Sequence, residues 1–151
     1  MNGLKVLKAQ IENELSNIET LLDEALDLVK KEESNLNIRA GGSMLHDFYT
    51  GVENIFHAIA STIDEKVPEG MSWHVELLKQ MTLDIEELRS SIISRDTEIM
   101  LEEYLRFRHL FRKRYGFELE WKSIKKLLRG MKKTYKALKR DLDTALSITS
   151  P

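Results

Sequence analysis

The sequence predicts an all-α fold, an antiparallel up-and-down bundle of four to five helices. Apolar residues recur at steps of three and four along most of the 151 residues, which is the period of an amphipathic helix. No segment alternates between apolar and polar residues for long enough to indicate a β-strand. Only two prolines and seven glycines interrupt the chain, so the connections are short and successive helices pack as antiparallel neighbours.

The first half of the chain predicts two long helices. Residues 4–34 contain neither glycine nor proline and carry a single apolar stripe, which indicates one helix. Two glycines and a serine at 41–43 then predict a break, with the serine suited to cap the next helix. A second stripe follows over 45–63, and the Pro-Glu-Gly segment at 68–70 ends that helix.

The second half predicts three further helices. A serine at position 72 can cap a third helix, whose apolar stripe extends over 77–92. The fourth is predicted to begin near Asp96 or Thr97 and to run to Tyr115, where Gly116 suits a C-terminal stop. A fifth stripe covers 121–145. Because neither an internal repeat nor a low-complexity linker separates these segments, the whole range 1–151 is predicted to be one domain.

The charges are distributed unevenly along the chain. The formal net charge is only -2, yet residues 105–140 hold 14 lysines and arginines against two glutamates. The remaining residues carry 9 cations and 23 anions. Such a split predicts an anionic partner for the C-terminal third, or an acidic surface in the same assembly.

Several function classes are disfavoured by composition and by the spacing of reactive residues. The chain has no cysteine, which excludes disulfides and thiolate metal sites, and no apolar stretch long enough to span a membrane, so a cytoplasmic protein is expected. The four histidines lack metal-ligand spacing, and no phosphate-binding glycine loop or nucleophile motif is present. No metal or other cofactor is therefore predicted. His74 is interpreted as a surface or helix-start residue, and Tyr49 with Glu53 as a hydrogen-bonded pair one helical turn apart.

The stretch RHLFRKRYG at 108–116 is the most unusual segment. At 100° per residue, one helical face collects Tyr104, Arg108, Phe111, Arg112 and Tyr115. An arginine on such a stripe is costly unless an acid, a phosphate or a dimer mate meets it. Arg114 of this segment and Arg106, two positions before the segment begins, fall off the stripe and are expected to be solvated.

This segment and two others resemble the HEPN superfamily, in particular its HepT-like ribonuclease toxins. The similar blocks are GSMLHDFYTGVENIF at 42–56, WHVELLKQM at 73–81 and EYLRFRHLFRKRYGFELEW at 103–121. The family signature is an arginine followed by a polar residue, a histidine five positions after the arginine and a tyrosine two further on. Arg108, His109 and Tyr115 match the arginine, the polar residue and the tyrosine.

The resemblance implies a function and partners. HepT-like toxins are dimers that cut RNA without a metal, by attack of a ribose 2′-hydroxyl on the adjacent phosphate at a site shared by two protomers. It implies catalytic roles for Arg108, His109 and Lys113, and RNA contacts for Arg112 and Arg114. It also implies a homodimer and a nucleotidyltransferase antitoxin as partner, with Tyr115 as the acceptor of an AMP group.

One position departs from the family signature and leaves the activity open. Lys113 stands where the histidine is expected, and a lysine with a reference pKa of about 10.4 is a poor base at neutral pH. It can act as an acid or an electrostatic clamp, and His109 is a second candidate for proton transfer. The alternative is a non-catalytic relative that binds RNA or a nucleotidyltransferase partner. A third interpretation treats 121–140 as a basic amphipathic helix for a membrane surface or a partner groove.

Overall fold

The computed structural model describes residues 2–113 and 119–147, with the side chains of all of these except 112 and 113. The described residues form five α-helices and no strand, which confirms the predicted all-α bundle. The helices are α1 (Asn2–Leu28), α2 (Asn35–Ile59), α3 (Trp73–Gln80), α4 (Arg95–Lys113) and α5 (Trp121–Leu146). Within these described residues, no helix is long and apolar enough to cross a bilayer.

Helix α2 occupies the centre of the bundle and contacts each of the other four helices. Its core-facing apolar residues are almost fully buried, including Phe48, Val52 and Phe56. The stripes predicted for the first and last helices face this core, because α1 and α5 both bury their residues at three- and four-residue steps. At its C-terminal end α2 continues into one π-helical turn, Ala60–Asp64, which stops at Glu65 in the left-handed region (φ 54°).

The break predicted at the paired glycines is wrong. Helix α2 begins earlier, at Asn35, where the Ser34 hydroxyl accepts a hydrogen bond of 3.0 Å from the backbone N–H of Asn37. Both glycines lie inside this helix. Glycine is needed at these positions because neighbouring side chains approach the helix backbone closely. A Cβ atom on Gly41 would lie 2.5 Å from Cγ2 of Ile124, and one on Gly42 would lie 2.5 Å from Cε1 of Phe111.

This close approach predicts that Gly41→Ala destabilises the protein. Overpacking a well-filled core typically costs about 1–3 kcal/mol, and the better helix propensity of alanine offsets about 1 kcal/mol of that cost. The expected result is a lower midpoint of urea unfolding. Gly3→Ala is the matched control, because no described atom beyond its chain neighbours and its own helix backbone lies within 4 Å of its Cβ position. An equal or higher midpoint for Gly41→Ala would contradict close packing at this position.

The third helix is much shorter than predicted. It ends at Gln80, and residues 81–94 form an irregular segment before α4. The buried side chain of Arg89 organises this segment. It forms a bidentate ion pair with Asp64 (Nε–Oδ1 2.6 Å, Nη2–Oδ2 2.7 Å) and donates to the carbonyl of Leu83 at 2.7 Å. An apolar stripe at helical spacing therefore packs here without forming a helix.

Helix α4 begins one or two residues before the predicted start. The Ser94 hydroxyl accepts from the backbone N–H of Thr97 at 3.2 Å, and Asp141 of α5 accepts from the backbone N–H of Ser94 at 3.0 Å. These bonds tie the start of α4 to the last turns of α5. The predicted end of this helix, with its stop at Gly116, lies outside the described residues.

Candidate functional site

The inner face of α4 carries the arginine that the sequence singled out. Tyr104 and Arg108 are both buried, with relative exposures of 2% and 8%, and Phe111 is half-buried. This confirms the predicted inward face for these three residues. Arg106, which falls off the stripe, is solvent-exposed as expected, and its Nη1 atom lies 3.7 Å from Oε2 of Glu102.

A buried acid from α2 neutralises the charge of Arg108. Glu53, whose side chain is 6% exposed, accepts a hydrogen bond from Nη1 of Arg108 through its Oε1 atom. Of the three groups expected to meet this arginine, the bundle thus supplies an acid from the same chain. The predicted Tyr49–Glu53 pair is wrong: the carboxylate turns to Arg108, and the Tyr49 hydroxyl has no hydrogen-bond partner in the described structure.

The second oxygen of the same carboxylate contacts a histidine. Nδ1 of His74 lies 2.6 Å from Oε2 of Glu53 and 3.4 Å from Nη1 of Arg108. A carboxylate only accepts, so the short contact requires a proton on Nδ1 of His74. The indole ring of Trp73 lies 3.6 Å from the imidazole ring, centroid to centroid, with an interplanar angle of 32°. We call these three residues, Arg108, Glu53 and His74, the buried ionic cluster.

The buried ionic cluster lies at the wall of an open groove between α3 and α4. The groove has a volume of about 730 Å³, and both His74 and Arg108 line it. Its remaining wall is largely apolar, with cationic and acidic side chains at intervals. Apolar residues of that wall are Met71, Val75, Leu78, Leu105 and Leu110. A groove lined in this way can bind a ligand that has an apolar or aromatic part next to an anionic group, with Arg108 attracting the anion.

Two tyrosine hydroxyls near this region stay protonated at neutral pH. Burial raises the pKa of Tyr49 well above its ordinary value, although the charge of Arg108 opposes the effect. Burial likewise raises the pKa of Tyr104 to about 12, and its hydroxyl donates to the carbonyl of Leu127 at 2.6 Å. Neither hydroxyl is therefore a base for proton transfer at this site.

Metal ligation finds no support in the described residues. Within 2–113 and 119–147, no group of three histidine, cysteine, aspartate or glutamate side chains is placed to hold a metal ion. The chemistry available from the described site is that of an arginine, a carboxylate and an imidazole.

Comparison with known proteins assigns the family. The sequence model described as "HepT-like protein" matches residues 40–148. The chain belongs to the HepT-like family. This match confirms the resemblance inferred from the three sequence blocks, and the HEPN superfamily with it. Neither the curated proteins nor the solved structures contain a match to the chain.

The HepT-like signature is only partly within the described structure. Arg108 lies in the buried ionic cluster, and His109, the next residue, is exposed and lines the groove. Lys113 is the last described residue of α4, but its side chain and that of Arg112 are outside the described atoms. Arg114 and Tyr115 lie outside the described residues altogether.

Sequence reasoning missed His74 as a member of the site. The three similar blocks contained the signal, since Glu53 belongs to the first, His74 to the second and Arg108 to the third. The sequence shows three separate blocks that are similar to the family. Only the fold shows that one residue from each block contacts the others. All three residues lie inside the range that matches the HepT-like family.

Proposed function

We propose that this HepT-like protein is a metal-independent endoribonuclease, the toxin of a toxin–antitoxin pair acting on RNA in the cytoplasm. The observation that carries the proposal is the position of Arg108, the arginine of the family signature, at the wall of an open groove beside a carboxylate and an imidazole. Cleavage by an internal 2′-hydroxyl needs a proton acceptor, a proton donor and a positive charge near the phosphate. Family membership supports the same class of activity.

In this proposal Arg108 stabilises the negative charge that grows on the phosphate oxygens during attack. A guanidinium suits that role because it is planar, permanently charged and rich in N–H donors. Lys113 acts as a proton donor or as a second cation, since an ordinary lysine is protonated at neutral pH. His109 lines the groove next to Arg108 and contacts the RNA there. Arg112 and Arg114 add further phosphate contacts.

We also propose two protein partners. The first is a second copy of the chain, with the catalytic site between two protomers. Exposed apolar side chains beside the buried ionic cluster support this: Met71 is 100% exposed, Val75 47% and Leu110 39%, and all three line the groove. The second is a nucleotidyltransferase antitoxin that transfers AMP to Tyr115, as in HepT-like pairs.

A second candidate function is a HepT-like protein without catalysis, which binds RNA or the nucleotidyltransferase partner. Two observations favour it. Lys113 replaces the histidine of the family signature, and Glu53 already neutralises much of the charge of Arg108 within the chain. The variant Lys113→His separates the two candidates, because RNA cleavage that appears only in that variant identifies the natural chain as non-catalytic.

The proposed ribonuclease is tested by RNA cleavage in the presence of EDTA. We expect the wild-type protein to cleave a single-stranded oligoribonucleotide, and Arg108→Ala to lower the rate by about 10²–10³-fold, as for loss of an oxyanion-stabilising donor. Arg39→Ala is the matched control, because Arg39 is an exposed arginine of α2 that does not line the groove. Intact RNA with wild-type protein, or cleavage that Arg108→Ala leaves unchanged, would overturn the proposal.

A further inference from the structure

We propose that His74 is the general base of the reaction, in the role that the family signature gives to the residue at position 113. This inference rests on the proposed ribonuclease function and names a residue for its proton transfer. Three features carry it: the contact between His74 and Glu53, the closeness of His74 to Arg108, and the position of both at the groove.

The geometry of Glu53 prepares the imidazole for this role. Its Oε2 atom lies 2.6 Å from Nδ1 of His74, so Nδ1 carries a proton, and in the neutral imidazole the basic lone pair is on Nε2. The carboxylate stabilises the imidazolium that forms when Nε2 takes a second proton, as buried acids do for catalytic histidines elsewhere. The Trp73 ring against the imidazole restricts its orientation further. The base is therefore oriented by two elements of the fold, α2 and the start of α3.

The same carboxylate connects the base to the phosphate-binding arginine. Oε1 of Glu53 accepts from Arg108 while Oε2 contacts His74, which holds the two functional groups 3.4 Å apart, Nη1 to Nδ1. A protonated Nδ1 cannot accept a hydrogen bond, so Arg108 and His74 are neighbours at this distance but are not hydrogen-bonded to each other. A phosphate attracted by Arg108 would bring its neighbouring 2′-hydroxyl near the imidazole.

The other candidates at this site are less suited to accept a proton. A lysine has a reference pKa of about 10.4, so a lysine in the signature position suits a proton donor better than a base at neutral pH. His109 is exposed, and no described side chain hydrogen-bonds to its ring. His74 has its side chain 22% exposed, which combines access from the groove with a fixed orientation.

The proposed step balances without any added reactant. Nε2 of His74 takes the proton of the 2′-hydroxyl as O2′ bonds to phosphorus and the bond from phosphorus to O5′ breaks. The leaving 5′-oxygen takes a proton from solvent water. The imidazolium then returns its proton to solvent, which restores His74. The products are a 2′,3′-cyclic phosphate and a 5′-hydroxyl end.

A purely structural role for His74 is the competing explanation, since the ring also satisfies a buried carboxylate. His74→Asn separates the two roles, because an asparagine amide can donate to Glu53 but cannot transfer the proton. We expect this variant to keep its thermal midpoint and to lose about 10²–10⁴-fold in kcat with KM little changed, the usual contribution of a general base. His57→Asn is the control, since His57 is an exposed histidine of α2 away from the groove.

Chemical rescue provides the second measurement, in EDTA with the same oligoribonucleotide. Added imidazole is expected to raise the rate of His74→Ala at least tenfold and to leave Arg108→Ala unchanged. A folded His74→Ala that imidazole does not rescue assigns a structural role and overturns the inference. If His74→Ala fails to fold, kcat of His74→Asn decides. An active wild type with unchanged His74→Asn overturns the inference alone, whereas an inactive wild type overturns the proposed function as well.

Discussion

Replacing Glu53 by leucine is expected to lower the free energy of unfolding by about 3–5 kcal/mol, the usual cost of removing one partner of a buried ion pair. The side chains of Glu53 and Arg108 are only 6% and 10% exposed, so water compensates little for the lost carboxylate. For a domain of this size, such a loss corresponds to a fall of about 10 °C in the thermal midpoint. Thermal and urea unfolding followed by circular dichroism measure it.

The double variant Glu53→Leu/Arg108→Leu shows whether the ion pair causes the loss. Apolar residues in place of both charges remove the uncompensated guanidinium, so the double variant is expected to be more stable than Glu53→Leu alone. Glu103→Leu is the control, because Glu103 is an exposed glutamate of α4. It is expected to change stability by no more than about 0.5 kcal/mol. Equal effects of Glu53→Leu and Glu103→Leu would contradict a buried ionic cluster.

The second large effect is expected at the ion pair between Asp64 and Arg89. Asp64→Ala is expected to cost about 3 kcal/mol or more, because it removes the carboxylate from a buried guanidinium. The two side chains are 2% and 7% exposed, and the pair fastens the segment 81–94 to the end of α2. Glu86→Ala is the control, since Glu86 is an exposed acid of the same segment. Urea unfolding of both variants against wild type provides the measurement.

The contribution of this pair is also expected to depend on pH. Burial opposes ionisation of Asp64, but hydrogen bonds and the charge from Arg89, with a hydrogen bond from Gln80, outweigh it and lower the pKa of Asp64 below its ordinary 3.8. A carboxyl with a lowered folded pKa stabilises the fold above its unfolded pKa, and this stability disappears as the pH falls through the folded value. The stability difference between wild type and Asp64→Asn should thus be constant near neutral pH and shrink below about pH 4. A difference that stays constant into that acid range would contradict this linkage.

The first and last helices could be predicted from the sequence, whereas the start of α2 and the end of α3 could not. Spacing alone identified the buried faces of α1 and α5, because amphipathic periodicity is a local property. The paired glycines of α2 were misinterpreted, since a glycine that breaks a helix and one that admits a neighbouring side chain look alike in sequence. The end of α3 depends on Arg89 reaching Asp64, a contact 25 residues apart that periodicity does not encode.

The candidate site could likewise be predicted from the sequence only in part. The inward face of Arg108 followed from helical geometry, and so did its need for a counter-charge. The identity of that counter-charge did not follow, because Glu53 lies 55 residues away on α2 and Tyr49, one helical turn from Glu53, is its nearer partner in the sequence. His74 was missed because a histidine at the start of a short helix carries no local pattern. Its contacts with Glu53 and Arg108 depend on how α2, α3 and α4 pack together.

The most direct measurement is the cleavage of an oligoribonucleotide in EDTA, with the ends of the products identified by mass spectrometry. If the buried ionic cluster is a ribonuclease site, the wild-type protein produces 2′,3′-cyclic phosphate and 5′-hydroxyl ends, and Arg108→Ala produces neither at a comparable rate. Intact RNA with both proteins, or the same cleavage by both, would contradict a catalytic role for this cluster.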